Sequence, residues 1–121
     1  MSDAPPTIRV LIVDDDRDIR ELLGDLLHDE GFSVEAAWNG ATALTRLEEG
    51  FHPDVIVLDI MMPVMDGLTF RAFQRSQPAL ADIPVVGLTA FPSPKADFEC
   101  LPKPLRFDLL VDKLRSVVAH R

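Results

Sequence analysis

A single cysteine, Cys100, rules out a disulfide within the chain and leads us to expect a reducing, cytoplasmic setting. No uninterrupted apolar run approaches the roughly 20 residues that cross a bilayer. The opening residues MSDAPPTIR lack the basic-then-apolar order of a secretory leader. Basic residues are scarce, with 12 Lys and Arg against 20 Asp and Glu and a net charge of −8. Binding a phosphate backbone takes a basic surface, so nucleic acid is not an expected direct partner. His28, His52 and His120 share no metal-ligand spacing, and no internal repeat or low-complexity tract is found.

The chain has 121 residues, 47% of them apolar, enough for one domain with its own core. Residues 1–7 read as a flexible lead and 8–121 as the domain. IRVLIV (8–13), FSVEAA (32–37), HPDVIVLD (52–59), IPVVGL (83–88) and FECL (98–101) read as strands. Ile19, Leu22, Leu23, Leu26 and Leu27 recur at helical spacing and predict a helix from Asp15 or Asp16 to a stop at Gly31. Asn39-Gly40 reads as a turn. Ala41, Leu44 and Leu47 mark a second helix ending near Gly50. A third runs from a cap at Asp66 to about Gln74, and Leu109, Leu110, Leu114, Val117 and Val118 mark a last one. Strands alternating with helices, and apolar on both faces, predict a parallel α/β sheet covered on both sides.

In such sheets ligands bind beyond the carboxyl ends of the strands. Asp14, Asp15 and Asp16, Asp59 with Met61, Thr89 and Lys103 all fall there. DDDRD (14–18) puts four carboxylates into five residues. Asp14 and Asp15 end the first strand and Asp59 the third, which are neighbours in a doubly wound sheet. Carboxylates that converge this way need a cation, and Mg²⁺ takes carboxylates, carbonyl oxygen and waters. Opposite Mg²⁺, a lysine and a hydroxyl, Asp59 is equipped as a nucleophile for phosphoryl transfer. Asp16 reads better as a helix cap than as a ligand.

VLIVDDDRDIRELL, DVIVLDIMMPVMDG, PVVGLTA and LPKP, in that order, resemble the response-regulator receiver domain of two-component signalling. The resemblance covers nearly the whole chain. It implies a flavodoxin-like, doubly wound, five-stranded parallel sheet in the order 2-1-3-4-5. It also implies Asp59 as phosphoacceptor and Asp14 and Asp15 as the Mg²⁺-binding pair, with Asp15 the direct ligand. Met61 matches a main-chain carbonyl on the metal, Thr89 the hydroxyl that turns toward the phosphoryl group, and Lys103 the lysine that pairs with it. Lys103-Pro104 matches a bond often held cis. The implied donor is a histidine kinase or histidine phosphotransfer protein, and the domain is no enzyme toward outside substrates.

One interval departs from the pattern. The family fits a full helix and the fifth strand between the threonine and the lysine. Here 90–102 offers thirteen residues, three of them proline, so a short Pro-containing loop is expected in place of the family's fourth helix. The dimer face built from that helix, the fifth strand and the last helix cannot then form in the usual way. The switch position, usually Tyr or Phe, is Cys100, which reads as a core thiol. Either the Pro-containing loop with Phe91 or Phe98, or a partner, is left to fill the uncovered sheet face. The alternative function is a phosphorylation-independent pseudo-receiver, a protein–protein interaction module. A phosphatase resembling the haloacid dehalogenases is disfavoured, because Met61 stands where those enzymes carry a second aspartate.

Overall fold

The computed structural model describes residues 7–61, 67–90 and 98–119. Five parallel strands, β1 (Arg9–Val13), β2 (Ser33–Ala37), β3 (Val55–Asp59), β4 (Val85–Thr89) and β5 (Glu99–Pro102), form one sheet. Their order is β2-β1-β3-β4-β5, the doubly wound arrangement that the family resemblance implies. The helices are α1 (Arg17–Asp29), α2 (Gly40–Glu48), α3 (Gly67–Arg75) and α4 (Phe107–Ala119). Val10, Ile12, Val57 and Leu88 pack against Leu23 and Leu27 of α1 and Leu110 and Leu114 of α4. Their strand neighbours Leu11, Val13, Ile56 and Leu58 pack instead against Leu44 and Leu47 of α2 and Phe70 of α3. Successive strand residues point to opposite faces, and both faces are covered at the centre of the sheet. β3 and β4 are therefore buried along their whole length and β1 beyond Arg9, while the edge strands β2 and β5 keep exposed polar residues such as Glu35 and Glu99. No described helix is long and apolar enough to cross a membrane. Residues 1–6 of the expected lead, the Asp66 cap and His120 lie outside the described residues.

Local hydrogen bonds set the element boundaries. Asp16 caps α1, its side chain accepting the N–H groups of Asp18 and Ile19. At the other end Gly31 takes φ 95°, its N–H donating to His28 O while Phe32 N–H reaches back to Leu27 O. That use of the Phe32 N–H starts β2 one residue later than FSVEAA suggests. Gly50, with φ 104°, ends α2 by the same pair of bonds, to Leu47 O and Arg46 O. Asn39 is not a plain turn residue: its side chain accepts Thr42 N–H at 2.7 Å and caps α2. β4 extends one residue past IPVVGL, so Thr89 is its last member, in register with Pro102.

Between β4 and β5 no helix occurs among the described residues; 91–97, with Phe91, Pro92 and Pro94, lie outside them. Phe98 packs on the α2–α3 side of the sheet. A Cβ added at Gly87 would sit 2.6 Å from Phe98 Cε2 and 3.0 Å from Cys100 Sγ. Gly87 therefore leaves a hollow in β4 that the ring and the thiol fill. The Arg71 guanidinium stands 5.8 Å from the Phe98 ring centroid and ties it to α3. Cys100 is half-buried, and its thiol pKa is raised by burial and then by the charge of Glu99.

Gly24 sits inside α1, where a Cβ would meet only Val34 Cγ1, at an ordinary 3.9 Å. Glycine in a helix interior costs about 0.5–1 kcal/mol relative to alanine. Gly24→Ala is expected to raise stability by that amount in a denaturant titration, with an unchanged slope.

Candidate functional site

β1, β3 and β4 end at one edge of the sheet, and each contributes a polar residue there. Asp14 follows β1 and donates its N–H to Ala37 O at 3.1 Å. Asp59 closes β3 and Thr89 closes β4. Lys103 follows β5, and its N–H donates to Thr89 O at 2.9 Å, which holds the lysine against the end of β4. Because β1 and β3 are adjacent, carboxylate oxygens of Asp14, Asp15 and Asp59 all lie within 4.8 Å of one another. Asp14 and Asp59 are only 2% and 4% exposed, whereas Asp15 faces solvent. From the far side Lys103 Nζ approaches Asp59 Oδ1 to 3.2 Å, and Met61 N–H donates to the same oxygen at 3.1 Å.

The two oxygens of Asp14 are in different situations. Oδ1 accepts Asp16 N–H at 2.9 Å, while Oδ2 is buried with no hydrogen-bond partner. Burial above all lifts this carboxyl from the ordinary 3.8 to about 6; the Asp16 N–H pulls it down and the Asp59 charge pushes it up further. A partnerless buried carboxylate oxygen is costly. Together with two more carboxylates, and with no His or Cys in the cluster among the described residues, it suits a hard divalent cation such as Mg²⁺. The site opens into a cleft of about 530 Å³ that runs from the carboxylates between α1 and the segment after β5.

A family model described as response regulator receiver domain matches residues 10–115. The chain belongs to that family. This receiver domain is 38% identical, over 93% of its length, to response regulator MprA of Mycobacterium bovis, and the match covers 51% of that relative. A Mycobacterium tuberculosis response regulator MprA is 36% identical over the same shares of the two chains. The chain thus spans about half the length of these relatives. Among solved structures, chemotaxis protein CheY4 of Vibrio cholerae superposes with a TM-score of 0.85 at 32% identity, covering 93% of this chain and 99% of that one. The signal receiver domain of a histidine kinase from Syntrophus aciditrophicus gives 0.84 at 29% identity, covering 94% and 92%.

The receiver domain brings Asp14, Asp15, Asp59 and Lys103 together. Thr89 is buried beside them at the β4 terminus. Lys103-Pro104 is cis. Met61 exposes its side chain and contributes its main chain to the site. Cys100 lies apart, against Gly87. Sequence reading passed over Gly67, whose absent side chain lets α3 rest on Ile60 and Asp59. It also passed over the outward faces of Ile19 and Leu22, which line the cleft, and over Arg20. The helical stripe did contain Ile19 and Leu22, but only as markers of the helix.

The raised Asp14 pKa fixes a sign. Between about 3.8 and about 6 the native protein keeps a proton that the unfolded chain has released. Stability from this group is therefore full below the unfolded value and is lost as pH rises through the native one. The loss is on the order of 2–3 kcal/mol. Asp14→Asn is expected to flatten the fall in melting temperature between pH 4 and pH 7, and an unchanged slope would dismiss the assignment.

Proposed function

We propose that this receiver domain is the phosphoacceptor of a two-component phosphorelay. Asp59 would take its phosphoryl group from a phosphohistidine of a histidine kinase or histidine phosphotransfer protein. The observation that carries this reading is the 3.2 Å approach of Lys103 to Asp59 beside the two further carboxylates. The side chains of Asp14, Asp15 and Asp59 and the main-chain carbonyl of Met61 would hold Mg²⁺. When bound, the ion supplies positive charge against the phosphoryl oxygens.

Asp59 Oδ1 is committed to the Lys103 ammonium and the Met61 N–H, so Oδ2 makes the new bond to phosphorus. The P–N bond to the donor ring breaks as that bond forms. Its electron pair stays on the ring nitrogen, and the ring, already protonated on its other nitrogen, leaves as neutral imidazole. Lys103, no longer needed by a free carboxylate, balances the charge on a phosphoryl oxygen, and the Thr89 hydroxyl donates to another. No outside substrate is turned over. The partner docks on Ile19 and Leu22, exposed on α1 along the cleft that leads to Asp59. The compartment is the cytoplasm.

Incubation with Mg²⁺ and acetyl phosphate or phosphoramidate tests this by intact mass. One added phosphoryl group is expected on the wild type and none on Asp59→Asn. No gain from any donor would overturn the reading in favour of a phosphorylation-independent binding module. Leu22→Arg is expected to slow uptake from a phosphorylated phosphotransfer protein about tenfold more than uptake from acetyl phosphate, the scale of an interface hot spot.

A further inference from the structure

We infer that Arg20 is a positioning residue for the metal-binding pair, holding the peptide that joins Asp14 to Asp15 and so aiming both carboxylates. The inference rests on the Mg²⁺ reading above. Arg20 NH1 donates to the main-chain carbonyl of Asp14 at 2.8 Å from a part-buried position. A peptide unit is planar, so the Asp14 carbonyl and the Asp15 N–H turn together with the Cα atoms on either side. Fixing that one oxygen limits rotation of the unit from which both side chains project.

The surrounding bonds show what this contact adds. Arg20 lies in the first turn of α1, where its own N–H donates to Asp16 O at 3.0 Å. Asp16 in turn donates to Asp14 Oδ1 and caps the helix with its side chain. These bonds fix Asp16 and one oxygen of Asp14. The Arg20 guanidinium adds the direct hold on the 14–15 peptide, leaving Asp14 Oδ2 and the Asp15 carboxylate for the ion.

Arg20 borders a shallow hollow with Gly24 and Ala36, toward β2. It is absent from the lining of the cleft formed by Ile19, Leu22 and Leu26. Its effect on the metal is thus separable from partner docking.

Two effects of this residue oppose each other. A guanidinium near the carboxylates repels Mg²⁺ through space, so its removal should tighten metal binding. Losing its grip on the 14–15 peptide should weaken binding instead. The second should win: the bond goes to a neutral carbonyl, the charge is screened by solvent and salt, and losing a partner that orients ligands costs about 10–100-fold in metal affinity.

The test is an MgCl₂ titration of the whole chain, followed by Trp38 fluorescence and by the amide NMR shifts of residues 14–16. Trp38 is the only tryptophan and follows Ala37, whose carbonyl receives the Asp14 N–H. Arg20→Gln is expected to bind Mg²⁺ about tenfold more weakly. Arg20→Lys keeps the charge but not the guanidinium fork, and is expected to lose roughly threefold. A loss in Arg20→Lys cannot come from charge removal, and that variant decides alone should Arg20→Gln fail to fold. Binding as tight as wild type, or tighter, in a folded variant overturns the inference. A wild type with no saturable Mg²⁺ response would remove the metal reading and this inference with it.

Discussion

Lys103→Ala is expected to slow phosphoryl uptake from acetyl phosphate by about 10²–10³-fold at saturating Mg²⁺, the usual cost of deleting one preorganised charge from a transition-state site. The expectation rests on how the lysine is held. Its backbone N–H is fixed on Thr89 O and its ammonium is already 3.2 Å from Asp59 Oδ1. Little reorganisation is left for the moment when charge develops on the phosphoryl oxygens.

The same variant should change stability far less than activity. The Lys103 side chain is 38% exposed, so the pair with Asp59 is partly solvated and screened. Such pairs contribute about 0–1 kcal/mol. What remains is mutual repulsion among Asp14, Asp15 and Asp59, and added Mg²⁺ should relieve it. Time courses of intact mass and melting curves with and without Mg²⁺ measure the two effects on one sample. Uptake within threefold of wild type would show that Lys103 has no part in the transfer.

Gly67→Ala is expected to destabilise the domain by about 1–3 kcal/mol, as overpacking does, and to lower its melting temperature by roughly 10 °C. An ideal Cβ there would stand 2.8 Å from Ile60 Cα and 3.0 Å from Asp59 O. Both are main-chain atoms of the segment carrying the phosphoacceptor, and Gly67 N–H already donates to Ile60 O at 2.8 Å. The helix cannot retreat without stretching that bond, so the strain passes into the Asp59–Ile60 peptide. Uptake of the phosphoryl group should fall along with stability.

Gly24→Ala, one methyl added to the same fold, should act with the opposite sign because its Cβ meets nothing closer than 3.9 Å. Gly87 is intermediate. Its nearest neighbour would be the outer edge of the Phe98 ring, which can rotate away at the expense of its seat. A melting temperature for Gly67→Ala equal to wild type would refute the close packing described for α3.

The aspartates of the site were legible because each is written into local sequence, whereas Thr89 and Lys103 stood out only by falling on the same sheet edge and through the family resemblance. Asp14 and Asp15 end an apolar run, Asp59 ends another, and Asp16 precedes a helical stripe, where a carboxylate caps the first turn. Strand–helix alternation sufficed for the parallel sheet and the adjacency of the first and third strands. Boundaries came out one to three residues off wherever a backbone N–H was drawn elsewhere. Phe32 gives its N–H to the end of α1, and Asp54 exchanges bonds with Arg9 ahead of β3.

Sequence alone determined the fold class, the order of the elements and the residues gathered at the carboxyl edge, because periodicity and turn chemistry depend on near neighbours. Tertiary structure decided the rest. It seated Phe98 in the Gly87 hollow where the interval was too short for the family's helix. It pressed α3 onto Asp59 through Gly67 and turned Arg20 back onto the Asp14 carbonyl. Gln74, an unremarkable polar residue in the sequence, became a fully buried link donating to Leu80 O and Ile83 O. The first two contacts join residues brought close only by packing, and the other two depend on which way a side chain turns in the finished fold; neither leaves a repeating trace along the chain.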